Sequence, residues 1–414
     1  MEVAIVVIGD ELLIGQVVDT NSGDIARMIA PAGWTVKYVE SVHDDSSAIK
    51  GAVERGMESA DIVLMTGGLG PTKDDITKET LREIFGGGMV LDSGVLEHVR
   101  SVFQRRGLNM NALTESQAMV PDSCTVIRNE LGTAPVMWFE KEGKVVVAMP
   151  GVPFETRHAF RNEVLPRLLS RFGQRSAIGH RTLVVTDITE SDLAENLEQW
   201  ESSLPEHLHL AYLPQAGYIR LRLDGIGDDS LMVDRDLDNA VSWLQDWLGD
   251  KVLATADLTP EQVLADELRR RGLTFATAES CTGGNVVHRL TLLPGISDVL
   301  CGSVVSYSNE VKHNVLGVDN ETLSRLGAVS EPVARMMAEG VRKALGAGCA
   351  ISTSGIAGPG GATPDKPVGT VCMAFSTPQA TRSATFRFPG DRQRVIDRAS
   401  TVALIEMVKL LRQS

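Results

Sequence analysis

Hydrophobic positions fall into short unbroken runs separated by amphipathic stretches over the first 165 or so residues. Residues 3–8 (VAIVVI) and 62–65 (IVLM) read as buried parallel strands, because an unbroken apolar run suits a strand covered on both faces. Each is followed by a glycine-containing turn. Residues 21–30, 47–59 and 77–85 have helical spacing, and 145–149 is a further strand that runs into Pro150-Gly151-Val152-Pro153. The alternation predicts an α/β domain with helices on both faces of a mainly parallel sheet.

The stretch 171–180 is polar and suits a linker. Beyond it, 182–186 reads as a strand, 190–200 as a helix, and 209–213 with 218–223 as a hairpin around Pro214-Gln215-Ala216-Gly217. Residues 234–248 are amphipathic again, completing a small α+β module. A new domain then opens at Thr259, which can cap a helix begun by Pro260, with Gln262 completing a capping box. Strands are expected at 273–278, 302–306, 349–353 and 370–376, and helices at 285–293, 309–316, 331–345 and 392–411. The fold class is therefore α/β: two α/β domains with mainly parallel sheets at the ends, joined by a small α+β module.

Composition narrows the function classes. Of 414 residues, 43% are hydrophobic and 23% charged, an ordinary globular balance. The net charge of -14 opposes broad capture of nucleic acid or of an anionic membrane, so neither is expected as a partner. Cys124, Cys281, Cys301, Cys349 and Cys372 form no C-x-x-C pair and no zinc spacing, and read as reduced thiols. No leader or membrane-spanning run is visible, so the expected location is cytoplasmic.

Three turns carry candidate chemistry. Thr277-Ala278-Glu279-Ser280-Cys281-Thr282-Gly283-Gly284 sets Ser280 between a strand and a helix, where helix-start amides can face an anion. A serine nucleophile with an oxyanion hole needs that arrangement, although a plain helix cap by Ser280 or Thr282 fits the same spacing. Ser306-Tyr307-Ser308-Asn309-Glu310-Val311-Lys312 puts Tyr307 at a strand end and Lys312 about one turn into a helix. A buried lysine of lowered pKa can replace histidine as the base for serine; an ordinary exposed lysine is the alternative. Thr353-Ser354-Gly355-Ile356-Ala357-Gly358-Pro359-Gly360-Gly361 is either an irregular loop or a backbone cradle for phosphate or ribose. All three turns follow predicted strands, and open α/β sheets bind ligands beyond the carboxyl ends of their strands.

The order TAESCTGG, GSVVSYSNEVK, GAVSEPVA, TSGIAGPGG, KPVGTV resembles the C-terminal domain of the CinA family throughout its length. The resemblance implies a serine-type amidohydrolase that converts nicotinamide mononucleotide to nicotinate mononucleotide and ammonia in pyridine-nucleotide salvage. It implies Ser280 as nucleophile and Lys312 and Tyr307 as activating partners. Thr282, Gly283, Gly284, Asn309, Ser354, Gly355, Gly358, Gly360, Gly361, Arg392 and Arg398 are the implied substrate contacts. No cofactor is implied for this reaction. Ile396 stands where many relatives carry an arginine, so Arg394 or Arg398 is the expected substitute in holding phosphate.

The N-terminal half has its own anchors: Gly9-Asp10-Glu11, Asp19-Thr20-Asn21 and Thr66-Gly67-Gly68-Leu69-Gly70-Pro71-Thr72-Lys73-Asp74-Asp75. These read either as turn glycines and solvated carboxylates, or as a phosphate cradle with acidic groups for a divalent ion or a ribose. His43 has no partner at metal-ligand spacing and reads as structural. With Pro150-Gly151-Val152-Pro153-Phe154-Glu155 the segment resembles the molybdopterin-binding fold of the family's N-terminal domain. The resemblance implies a metal-dependent ADP-ribose pyrophosphatase. Its implied nucleotide site is Gly9, Glu11, Asn21, Gly67, Gly68, Gly70, Pro71, Asp74, Asp75, Pro150 and Gly151, with Asp74 and Asp75 holding the metal. The implied domains are 1–168 (molybdopterin-binding-like), 176–252 (KH-like, without a G-x-x-G loop, a spacer or dimerisation element) and 258–414 (deamidase), in a homodimer. The rival reading is a non-catalytic competence-linked regulator or nucleotide-binding protein; a molybdopterin-handling protein leaves the last 160 or so residues unexplained.

Overall fold

The structure, a computed structural model, describes residues 1–72, 75–173 and 177–413. By its internal contacts the chain divides into two compact units, residues 1–179 with 225–235, and residues 180–224 with 236–414.

The first unit is built on strands β1 (Glu2–Ile8), β2 (Thr35–Val42), β3 (Ile62–Thr66), β4 (Met89–Leu91), β5 (Met119–Pro121), β6 (Thr125–Ile127), β7 (Val136–Lys141) and β8 (Lys144–Met149). The main sheet runs β2-β1-β3-β8-β7-β6, parallel from β2 to β8 and antiparallel at β7 and β6, while β4 and β5 pair separately. Alternate residues of β1 serve opposite cores, as the two faces of a strand require. Val3, Ile5 and Val7 pack with Ile25 and Ile29 of helix Asn21–Ile29, and with Phe160 and Leu168. Val6 and Ile8 pack with Ile49 and Val53 of helix Ser46–Ser59. That two-sided burial explains the unbroken apolar runs.

β9 (Ala177–Val185), β10 (Leu208–Gln215), β11 (Tyr218–Gly227) and β12 (Val252–Ala254), whose residues fall chiefly in the second unit, form a sheet in the order β10-β11-β9-β12. Helices Glu190–Glu201 and Ser230–Leu248 accompany them. Of the expected linker 171–180, residues 174–176 lie outside the described residues; its flanks end a helix at Phe172 and begin β9.

The C-terminal sheet has β13 (Phe275–Glu279), β14 (Leu300–Val305), β15 (Cys349–Gly355), β16 (Thr370–Ser376) and β17 (Thr381–Arg387) in the order β14-β13-β15-β16-β17. The first three strands are parallel and the last two antiparallel. Helices Pro260–Arg271 and Arg392–Gln413 cover one face through Leu264, Leu268, Val395 and Leu404. Helix Glu331–Ala344 covers the other face with Val333, Met337 and Val341. The capping box forms as the sequence predicts: Thr259 Oγ accepts from the Gln262 amide, and Gln262 Oε1 accepts from the Thr259 amide.

Candidate active site and a second pocket

Register sets the C-terminal site. Glu279 at the end of β13 pairs with Val305 of β14 on one side and Thr353 of β15 on the other. Residues following each strand therefore emerge side by side. The Ser280 amide donates to Thr353 O at 2.9 Å, and the Ser306 amide to Glu279 O at 2.8 Å. A cavity of about 240 Å³ lies here, lined by Ser280, Cys281, Tyr307, Asn309, Lys312, Ala328, Val329, Ser354, Gly355, Ala357 and Arg392.

Its centre is the pair of Ser280 and Lys312. Helix Asn309–Asn314, capped by Ser308, carries Lys312 inward until only 1% of the residue is exposed. Lys312 Nζ donates to Ser306 O at 2.7 Å and Tyr307 O at 3.4 Å, and stands 3.1 Å from Ser280 Oγ. A neutral amine has two N–H bonds and one lone pair. Here two carbonyl oxygens can accept only, while the third neighbour is a hydroxyl able to donate. The surroundings therefore suit the unprotonated amine, with its lone pair on the Ser280 proton. Burial, which disfavours the ammonium, holds the Lys312 pKa below the usual lysine value.

Tyr307 and Arg392 stand at the same cavity. Arg392 donates to Gly358 O at 2.6 Å and to the Tyr307 hydroxyl at 3.0 Å, so the phenol engages Arg392 rather than Ser280. Ser354 Oγ donates to Ala328 O at 2.6 Å. Cys281 is a bystander: burial pushes its thiol up to about 12.

Neither Ser280 nor Thr282 caps the following helix, Asn285–Thr291, whose N-cap is Gly284 at φ 96°. The helix-start amides meet an anion belonging to the chain itself. Glu279, fully buried, accepts from the amides of Gly284, Val286 and Val287 at 2.9–3.0 Å, from the Thr282 hydroxyl at 2.7 Å and from the Thr277 hydroxyl at 3.1 Å. Thr282 also bonds Thr353. Thr282, Gly283 and Gly284 accordingly do not line the cavity, and neither do Gly358, Gly360, Gly361 or Arg398. Cys281, next to Ser280, lines the cavity, and among the described residues its backbone amide donates to no other residue of the chain. Sequence reasoning missed Glu279; its signal was an acid at the end of an otherwise apolar strand. Ile396 packs against the core, and Arg394 is 77% exposed beside Asp391, which leaves Arg392 as the guanidinium at the cavity.

A second cavity, of about 520 Å³, opens in the first unit where β1, β3 and β8 end in register. Gly9, Glu11, Asn21, Gly67, Gly68, Gly70, Pro71, Asp75, Pro150 and Gly151 all line it; Lys73 and Asp74 lie outside the described residues. Gly67 is required by close approach, since a Cβ there would strike Ile8 O. Burial, and then the charges of Asp10, Glu11 and Asp75, raise the Asp44 carboxyl above its usual value. Exposed His43 pairs with Asp10.

Both carboxylate oxygens of Asp75 are engaged by its own loop. Its Oδ1 accepts from the Gly70 amide at 2.7 Å, and its Oδ2 from the Thr72 amide at 3.0 Å and the Thr72 hydroxyl. The carboxylate ties its own loop. Among the described residues no group of three or more His, Cys, Asp or Glu is placed to share a metal ion. Nor, among them, is any helix long and apolar enough to cross a membrane.

Three family profiles match the chain: a probable molybdopterin binding domain at residues 4–170, the KH domain of the damage-inducible protein CinA at 180–254, and the CinA C-terminal domain at 257–411. A CinA-like protein from Flavobacterium psychrophilum is 41% identical over 413 residues, covering 99% of this chain and 98% of its own length. One from Cytophaga hutchinsonii is 39% identical over 405 residues, covering 98% and 96%. Among solved structures, a CinA superfamily protein from Klebsiella pneumoniae is 35% identical, with a TM-score of 0.37 over 37% of this chain and 97% of its own. With identity at this level sustained from end to end, the chain belongs to the CinA family.

Proposed function

We propose that the C-terminal cavity deamidates nicotinamide mononucleotide by a serine–lysine mechanism. The observation that carries this reading is buried Lys312, with Nζ 3.1 Å from Ser280 Oγ and its two remaining partners both carbonyls. The nucleotide itself comes from the family resemblance. Neutral Lys312 takes the Ser280 proton as Oγ attacks the carboxamide carbon. The backbone amide of Cys281, which lines the cavity beside Ser280, serves the oxyanion. Lys312 returns the proton to the leaving nitrogen, ammonia departs, and an acyl-serine remains. Water, deprotonated by the same amine, then attacks the acyl carbon; the carboxylate leaves and Ser280 regains its proton. Arg392 at the cavity suits the 5′-phosphate.

Ammonia release from nicotinamide mononucleotide tests the reading. Ser280→Ala is expected to lose at least a thousandfold in rate. Retention of more than about a tenth, under ~1.4 kcal/mol of barrier, rules out Ser280 as nucleophile. Because serine, lysine and a backbone amide supply nucleophile, base and oxyanion donor, chelator is expected to leave the wild-type rate within about twofold.

A second reading concerns the N-terminal pocket, favoured by the ten expected residues that line one cavity. It takes a nucleotide, with ADP-ribose the substrate the resemblance implies. No step is assigned to the divalent ion of that reaction.

A further inference from the structure

If the N-terminal pocket holds a nucleotide, its own lining makes a poor seat for phosphate. Glu11, Asp19, Asp44, Asp75 and Glu155 line it, and among the described residues no Lys, Arg or His does. The Gly67 amide is already committed to Met149 O, and the Gly70 amide to Asp75. Such a wall suits the hydroxyls of a ribose or the amino edge of a base, and repels a phosphate.

A cation stands next door. A cavity of about 320 Å³ meets the first at Thr133, which lines both, and Arg128 lines this second cavity. Arg128 is exposed and forms no ion pair among the described residues. Its guanidinium is nevertheless fixed. Arg128 Nε donates to His98 Nδ1 at 3.1 Å, and the buried His98 ring is held at its other end by Nε2 donating to Gly132 O at 3.0 Å. Because an arginine Nε only donates, His98 Nδ1 must be the acceptor, which fixes the neutral Nε2–H tautomer. Asn129, the next residue, stiffens the loop: Oδ1 accepts from the Leu131 and Gly132 amides, and Nδ2 donates to Ala134 O and to Glu155 of the first cavity. Asp92 and Glu97 line the second cavity too; the Asp92 Oδ1 caps helix Ser93–Arg105 through the Val95 amide. Four guanidinium N–H bonds remain on a pre-oriented fork, the donor geometry that matches phosphate.

We propose that Arg128, oriented by His98, is the anion anchor of the N-terminal site: the nucleoside end of the ligand occupies the acidic pocket, and a phosphate reaches past Thr133 to Arg128. This assignment rests on the nucleotide reading of that pocket.

Calorimetric titration of the full chain tests it with four probes, ADP-ribose, AMP, ribose 5-phosphate and adenosine, against wild type, Arg128→Gln, Arg128→Lys and a control of equal charge loss, Arg106→Gln. Arg128 is exposed, so its variants should fold, which thermal unfolding checks. Arg128→Gln is expected to weaken the three phosphorylated probes by about ten- to a hundredfold and leave adenosine within about twofold. Arg128→Lys, which keeps charge but loses the fork and the His98 bond, should recover only part of that loss, and Arg106→Gln should match wild type. Equal weakening of adenosine and AMP, or equal loss in Arg106→Gln, overturns the anchor. Wild type binding ADP-ribose with Arg128→Gln unchanged overturns the anchor alone. Wild type binding none of the four overturns the nucleotide reading and the anchor with it.

Discussion

The two cavities open at equivalent places, where three adjacent parallel strands end at one level, yet they are furnished oppositely. After β13, β14 and β15 come a serine, a serine–tyrosine pair and a glycine loop, with Lys312 and Arg392 turned toward them. After β1, β3 and β8 come glycine and proline turns ringed by carboxylates. Sheet topology chooses where a ligand sits, and the few residues past each strand decide what can be done to it. A second contrast concerns the helix starts. Asp19 takes the Asn21 and Ser22 amides beside the N-terminal cavity, and Glu279 takes those behind the C-terminal one. In both units the chain's own acid satisfies the helix terminus, so an incoming anion must be met by arginine or by loop amides.

The comparison breaks most sharply at Lys312. Lys312→Met should lower kcat/KM for deamidation by about 10²–10⁴, the usual share of a general base. Lys312→Arg should do no better, because guanidinium stays protonated at every working pH. The sign of the pH profile follows from the same group. Only the neutral amine can accept the Ser280 proton, so wild-type activity should climb as pH rises and level off below the ordinary lysine value, burial having lowered the Lys312 pKa. A profile with no rise at any pH, or an active arginine variant, removes Lys312 as the base.

Much of this arrangement was legible in the sequence, although β7, with its buried run VMWF, was not expected. Expected strands 3–8, 62–65 and 370–376 match β1, β3 and β16 because burial on both faces imposes an apolar run. Edge strands β2 and β17 escaped, since half their residues face solvent and TVKYVESV or TRSATFR lacks such a run. In the sites, sequence order found Ser280 and Lys312, but not that Lys312 is buried or that the Tyr307 hydroxyl pairs with Arg392, 85 residues away. Several glycines are engaged by the chain itself. Gly283 and Gly284 shape a turn around Glu279, the Gly67 amide joins the end of β8 at Met149 O, and the Gly70 amide closes its own loop at Asp75. A glycine pattern reports close backbone approach without saying whether the visitor is a ligand or the chain itself.

Glu279 supplies the next largest effect. Glu279→Gln preserves shape but turns an NH₂ toward a ring of donors, so at least one of the Gly284, Val286 and Val287 amides, or a threonine hydroxyl, loses its acceptor inside the core. The expected cost is about 2–4 kcal/mol of stability, read as a lower denaturant midpoint for loss of deamidation. A shift below ~0.5 kcal/mol, the size of an ordinary surface change, would mean that the carboxylate does not clamp the serine turn.

The smallest effect on turnover should come from removing everything before residue 257. Ser280, Tyr307, Lys312, Ser354 and Arg392 all lie beyond that cut, and so do the five strands and the covering helices of their sheet. Turnover by fragment 257–414 should therefore stay within about threefold of the full chain, as expected of a self-contained core. Stability is another matter. Val184 and Leu253 belong to the same hydrophobic cluster as Leu264, Phe275 and Val408, Arg412 donates to Leu253 O at 2.8 Å, and Lys409 pairs with Asp187 at 2.6 Å. Cutting at 257 strips those partners from the C-terminal helix, and uncovering the apolar area beneath two aliphatic side chains should cost about 3–5 kcal/mol. Fragment 180–414 retains them and should unfold at the higher denaturant concentration with the same turnover. A fragment 257–414 that is folded yet inactive, and regains activity when residues 180–256 are restored, would show that the module before it helps hold the catalytic geometry rather than only covering its core.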